Sequence, residues 1–216
     1  MNNEIERLKK KLLALSAQVQ QQLWKSVKSI KQRKEELAQE VIDFDYVIDQ
    51  DEVEIEEDCL KILALYQPVA IDLRFIVTAF KINSDLERIG DLSVNIAERS
   101  VFLARHAAIA VPYDFDLMTE RAQAMLNWSI DALVNLDCDL AQKVCTLDDE
   151  LDALNKSMYD LMKDSILSQP EHIECLIHLL SASRHLERIG DHAVNIAEDV
   201  IYMVEGRIIR HQTEEY

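Results

Sequence analysis

The chemistry this sequence offers lies in four pairs of carboxylates, each pair spaced by four residues. Glu87 and Asp91 sit in the segment LERIGDLSVNIAE (86–98), and Glu187 and Asp191 in LERIGDHAVNIAE (186–198). The two segments agree at eleven of thirteen positions and lie 100 residues apart in a chain of 216. Upstream of each copy stands a second pair, Asp45 with Asp49 and Asp148 with Asp152. A step of four puts both acids on one helix face. Like charges so placed destabilise a helix by a few tenths of a kcal/mol per pair, unless cations meet them. An all-oxygen set of this kind suits hard cations such as Mg²⁺, Ca²⁺, Mn²⁺ or Fe³⁺, whereas zinc more often takes nitrogen or sulfur. One such pair alone is ordinarily a solvated face making salt bridges, with Arg88 and Arg188 at hand. Four pairs, placed alike in two halves, favour a metal.

Helical geometry refines the picture. At ~100° per residue, with Glu187 at zero, Asp191 falls at ~40° and Glu198 at ~20°. The apolar stripe of Leu186, Ile189, Ala193, Ile196, Ala197 and Val200 spans ~180–280°. The carboxylates therefore border the buried face without replacing it, and the first copy has the same layout. Gly90 and Gly190 are two of only three glycines. In a helix interior Gly costs up to about 1 kcal/mol against Ala, which predicts close approach of a neighbouring helix backbone at that level. His178, His185 and His192 are seven apart and share a face at ~140–180°, far from the carboxylates. They are expected to be surface or groove residues and not metal ligands.

The elements that must carry these residues are long helices. Three Gly and three Pro leave few turns, and apolar residues recur at helical spacing, as in Leu8, Leu12, Leu15, Val19 and Leu23. Boundaries near Pro68, Pro112 and Pro170 predict six helices, at about 3–32, 35–66, 69–107, 115–141, 146–168 and 171–206, the last closed by Gly206. The expected fold is all-α: two repeated antiparallel three-helix bundles packed together, residues 1–110 and 111–216, joined around HAAIAVPYDFD, with a frayed HQTEEY terminus. Helix two should lie antiparallel to helix three, and helix five to helix six, gathering four carboxylates per bundle.

Composition sets the class. Apolar residues make up 49% of the chain, enough for a core, and charges interrupt every apolar run before it reaches membrane-spanning length. No secretory signal is visible. Four cysteines without CxxC or CxxH spacing read as reduced thiols of a cytoplasmic protein. The net charge of −17 divides into +7 over residues 1–34 and −24 over the rest. A mostly acidic body argues against nucleic acid as a partner. The basic first helix either neutralises acidic neighbours within the fold or touches an anionic surface or partner. Residues 43–58, by contrast, hold nine acids and no Lys or Arg.

EEDCLKILALYQPVAIDLRFIV in the first half, the two LERIGD motifs and the DDELD ahead of the second motif carry a resemblance over nearly the whole chain. The sequence resembles the PhoU family of bacterial phosphate-signalling regulators. The resemblance implies metal clusters bound by E(D)xxxD motifs on the second, third, fifth and sixth helices: Asp45 and Asp49, Glu87 and Asp91, Asp148 and Asp152, Glu187 and Asp191. Iron, magnesium, manganese or zinc is the implied metal. Asn155 and Tyr159 stand where the helix-two positions are Glu52 and Glu56, so the second cluster is poorer in charge. The resemblance further implies a homodimeric, cytoplasmic negative regulator without catalysis. Such a regulator would act between the ATPase subunit of the phosphate ABC transporter and a phosphate-sensing histidine kinase, peripheral to the membrane at most.

Two other readings compete. A purely structural helical adapter would carry the carboxylates for solubility alone. A carboxylate-bridged di-metal oxidase of ferritin-like type would need Glu-x-x-His on two helices, and the sequence has none.

Overall fold

The computed structural model describes residues 1–109 and 115–207. Six long helices run in the order α1 (Asn2–Gln32), α2 (Glu35–Tyr66), α3 (Ala70–Arg105), α4 (Phe115–Asn135), α5 (Cys138–Ser168) and α6 (Ile173–Glu205), with a 3-10 turn at Pro170–His172 before α6. The described residues contain no strand. Helices α1–α3 and α4–α6 form the two expected three-helix units. The anticipated joint at 110/111, the Pro112 break and the HQTEEY terminus lie outside the described residues.

Most ends follow the sequence. Pro68 falls between α2 and α3, and Pro170 opens the 3-10 turn. Gly206 caps α6 at φ 71, returning its N–H to the carbonyl of Tyr202. One boundary differs from expectation. The fourth helix was expected to run to about 141 and the fifth to start near 146, but α4 stops at Asn135 and α5 starts at Cys138. The cause is polar and not a proline: Leu136 turns into the left-handed region at φ 54. Asp137 then caps α5, its carboxylate accepting from the N–H of Leu140 at 2.9 Å. A side-chain N-cap of this kind satisfies one of the orphan donors of a helix start.

Side chains give the packing directions. Lys25 pairs with Glu40, and Lys11 with Glu54 and Asp58, so α1 and α2 are antiparallel. Ile48 meets Gly90 and Glu52 meets Asn83, which sets α2 against α3 in the same sense. Leu151 with Gly190 and Asn155 with Ser183 repeat that relation between α5 and α6. The units join chiefly along α3 and α6, again antiparallel. Lys81 reaches Asp199 at 3.3 Å, and reciprocally Arg99 reaches Ser181 at 3.3 Å. One continuous apolar core runs through both units, from Leu8 and Leu12 of α1 to Val200 and Ile201 of α6. Burial of this extent dominates the stability. All four cysteines are free thiols, with Cys59 and Cys175 buried.

Part of the basic first helix is occupied within the fold. Besides Lys11 and Lys25, Lys31 reaches Asp116 of α4 at 2.8 Å. These three lysines meet acids of neighbouring helices, the first of the two roles expected for the basic helix.

Candidate metal centre

Ile48 and Leu151 fix the register of each site. Both are fully buried one residue before an acid, Asp49 or Asp152, and each packs where its partner helix carries glycine. A Cβ at Gly90 would lie 3.3 Å from Ile48 Cγ2, and one at Gly190 2.5 Å from Leu151 Cδ2. The glycines therefore admit a branched side chain, not a neighbouring backbone as the sequence suggested. This knob-in-socket contact holds Asp45 and Asp49 level with Glu87 and Asp91, and Asp148 and Asp152 level with Glu187 and Asp191.

All eight predicted carboxylates fall into these two groups. In the first, Asp45, Glu87 and Asp91 are half-buried and Asp49 is exposed; in the second, Asp148 and Glu187 are half-buried, with Asp152 and Asp191 at the exposed edge. The edge-of-core placement read from helical angles is what the fold displays. The electrostatics record how close the groups come. Burial, followed by the charges of Asp49 and Asp91, pushes Asp45 up to about 6. Burial, followed by Asp152, Asp191, Asp149 and Glu187, pushes Asp148 up to about 7. Glu87 and Glu187 are raised as well, first by burial and then by Asp91 and Asp191 respectively. Desolvation and mutual repulsion both disfavour the charged form, and in each group they outweigh the nearby protein cations.

The protein compensates part of this charge at both sites, through direct ion pairs at the first and through the more distant Arg184, Arg188 and His192 at the second. Arg88 Nη1 lies 3.0 Å from Asp91 and its Nε 3.5 Å from Glu87. Asn83 donates to the backbone carbonyl of Glu52 at 2.9 Å and to its side chain at 3.3 Å, holding that extra acid beside the site. In the second unit Ser183 and Asn155 take those two places, 3.5 Å apart. Asp148 Oδ1 is buried there without a hydrogen-bond partner. An orphaned carboxylate oxygen within the field of neighbouring acids is the donor chemistry that a hard cation would complete. Among the described residues, however, no three His, Cys, Asp or Glu side chains converge on a single point as metal ligands must. The helices bring the carboxylates level with one another, but their rotamers do not close around an ion.

The histidines lie in the groove between α3 and α6, where His192 comes near enough to Asp191 to offset part of the surrounding negative charge. His192 donates through Nδ1 to Asp85 at 2.8 Å, with Asn195 donating to the same oxygen at 3.1 Å. His178 stacks on Phe102 at 3.7 Å between ring centroids, and His106 also stacks on Phe102 at 3.9 Å. Sequence reasoning missed Asp85 and Asn83. The signal available was that both are polar residues on the inward side of a helix that otherwise buries Ile82, Leu86 and Ile89.

The profile of the PhoU domain matches residues 12–100 and again 115–200. The chain belongs to the PhoU domain family. Each match spans one three-helix unit, so the PhoU domain occurs twice. A PhoU relative from Aquifex aeolicus, named phosphate-specific transport system accessory protein PhoU homolog, is 40% identical over 97% of this chain and 95% of its own. The crystal structure of PhoU from Pseudomonas aeruginosa superposes with a TM-score of 0.91 at 36% identity, covering 95% of this chain and 99% of that one. The phosphate transport system regulatory protein PhoU from Streptococcus pneumoniae gives a TM-score of 0.84 at 28% identity, over 96% and 98%. No described helix is long and apolar enough to cross a membrane.

Proposed function

We propose that the protein is a cytoplasmic negative regulator of phosphate uptake and of the phosphate-starvation response. It acts without catalysis, as a metal-binding signalling adapter between the ATPase subunit of the phosphate ABC transporter and a phosphate-sensing histidine kinase, and it works as a homodimer. The name shared by its close relatives, an accessory protein of phosphate-specific transport, supports the phosphate role. The observation that carries the metal reading is the doubled cluster of half-buried acids whose charge is only partly compensated, with Asp148 Oδ1 left without a partner. Asp45, Asp49, Glu87 and Asp91 would hold one centre, and Asp148, Asp152, Glu187 and Asp191 the other. Iron, magnesium, manganese and zinc are the candidate ions; a bound ion would supply the positive charge that neutralises each cluster.

Two measurements test this. A deletion strain assayed at high phosphate should show constitutive alkaline phosphatase; a normally repressed level would remove the regulatory reading. The variant with Glu87, Asp91, Glu187 and Asp191 all changed to Ala, purified without chelator, should carry little metal. Undiminished metal by elemental analysis would show that the ions sit elsewhere.

The unconverged rotamers favour one alternative, an adapter whose acids serve solubility alone. On that reading a chelator leaves the melting temperature unchanged and no metal copurifies, whereas a bound ion raises it by mass action.

A further inference from the structure

The two repeats are finished differently at one end. Arg33 closes the turn between α1 and α2, and Leu136 holds the matching place between α4 and α5, each in the left-handed region, at φ 53 and 54. Arg33 donates through Nη2 to the carbonyl of Leu103 at 2.5 Å and to that of His106, sealing the end of α3. Leu136 has no donor to offer the end of α6. Its side chain is 55% exposed and forms one wall of a cavity of about 400 Å³, between α1, the start of α3 and the ends of α4 and α6. That volume lies in the range of built binding pockets.

Its floor is core: Leu12, Leu133 and Met203 are buried. Its rim is an apolar shelf on which Ile71 is 68% and Val134 52% exposed. A left-handed leucine costs about 1 kcal/mol or more, and here it displays an apolar side chain to water. The polar groups at the mouth are mainly cationic. Arg74 Nε is buried without a hydrogen-bond partner. Lys9, paired with Glu6, sits 5.3 Å over the ring of Phe75. Asp72 is the one acid of the lining, in a chain whose net charge is −17.

We propose that this pocket docks an amphipathic helix of a partner protein, an apolar side chain entering the cavity and flanking carboxylates meeting Arg74 and Lys9. Apolar anchors on one helix face with charges beside them are what such a groove reads. Charge decides against the other occupants. Lys9 and Arg74 are the only basic residues of the lining, and Asp72 stands among them, so the face lacks the polybasic density that holds an anionic bilayer. A second copy docking through the same face would bring like cations together across a two-fold axis. The inference deepens the adapter reading by giving it a contact surface, but the physical claim does not depend on metal.

The test uses the full chain in EDTA and three fluorescein-labelled helical peptides sharing one leucine face, flanked by Glu, Gln or Lys. Fluorescence polarisation should show the Glu peptide binding about tenfold more tightly than the Lys peptide. Leu136→Arg, which copies the first repeat, should abolish the binding, and Arg74→Glu should reverse the order of the peptides. Val134→Glu, at an exposed position, gives the same reading if Leu136→Arg fails to fold. Equal binding of the three peptides, no binding, or binding untouched by Leu136→Arg and Val134→Glu overturns the proposal. So does phosphatidylglycerol vesicle binding, or a dimer in sedimentation, that these variants remove while the peptides do not discriminate. Because phosphatase repression in cells is a separate readout, failure here is distinguishable from failure of the regulatory reading.

Discussion

Leu151 occupies the space that a side chain at Gly190 would need: a Cβ there would lie 2.5 Å from Leu151 Cδ2 and 3.3 Å from Met125 Cε. Leu151 and Met125 are both fully buried, so each must shift within the core to make room. At Gly90 the nearest atom, Ile48 Cγ2, would be 3.3 Å away. Ala gains about 1 kcal/mol over Gly in a helix interior, whereas overpacking costs about 1–3 kcal/mol. Gly90→Ala should therefore stay within about 0.5 kcal/mol of the parent, and Gly190→Ala should be less stable by about 1–2 kcal/mol. Urea unfolding of the two variants decides it; equal losses would mean the two sockets are alike.

The raised carboxylates give the metal-free protein an inverted pH response. Asp45 and Asp148 titrate at about 6 and about 7 when folded, above the 3.8 of the free side chain. Between those limits the folded chain binds more protons than the unfolded one, so stability is fullest on the acid side and is lost as pH rises through the folded values. In EDTA the melting temperature should fall from about pH 5 to about pH 8. Saturating Mn²⁺ or Mg²⁺ should flatten that fall, the cation replacing the proton. A melting temperature rising with pH in EDTA would contradict the crowding of these acids.

Asp148→Asn should separate stability from binding. Losing a half-buried charge with an unpartnered oxygen should stabilise the metal-free protein at pH 8 by on the order of 1–2 kcal/mol, discounted for solvent screening. The same variant should lose most of the metal-dependent rise in melting temperature at the second site. Differential scanning calorimetry with and without Mn²⁺ reads both effects; destabilisation in EDTA would show that the charge is already satisfied.

Asp85 ties the two units together by accepting from His192 and Asn195 across the α3–α6 seam. Asp85→Ala leaves two part-buried donors unpaired and should cost about 2 kcal/mol. The replacement Asp85→Asn, which keeps one acceptor, should lose less. Denaturant midpoints for the pair check this, and an unchanged midpoint for Asp85→Ala would make the tie energetically idle.

The helices and the eight acids were legible in the sequence because their signals are local. Periodic leucines, two prolines and Gly206 mark helix faces and ends, and a four-residue step fixes which acids share a face. The break at Leu136–Asp137 was missed because it rests on one capping carboxylate in a stretch with no proline or glycine. The reason for Gly90 and Gly190 was misread for a different cause: which atom fills a socket depends on the partner helix, and no spacing within a helix reports it. Asp85 was hidden in the same way, since its partners lie 107 and 110 residues away. Equality of the two sites could not be read from the repeated motif either, because the Arg88 ion pairs, Asn83 and Glu52 surround the first cluster, whereas Arg188 acts on the second only at a distance.

The Asp85–His192 contact also says how the repeats recognise each other. At the matching positions the first unit carries Asp85 and Leu92, and the second His185 and His192. Two first units laid together along the same seam would set each aspartate against a leucine, and two second units would set histidine against histidine. Only the mixed pairing joins acid to imidazole. At this contact the duplicated halves have become complementary, and a half-length chain expressed alone would find in a second copy of itself a poorer mate than its covalent sibling.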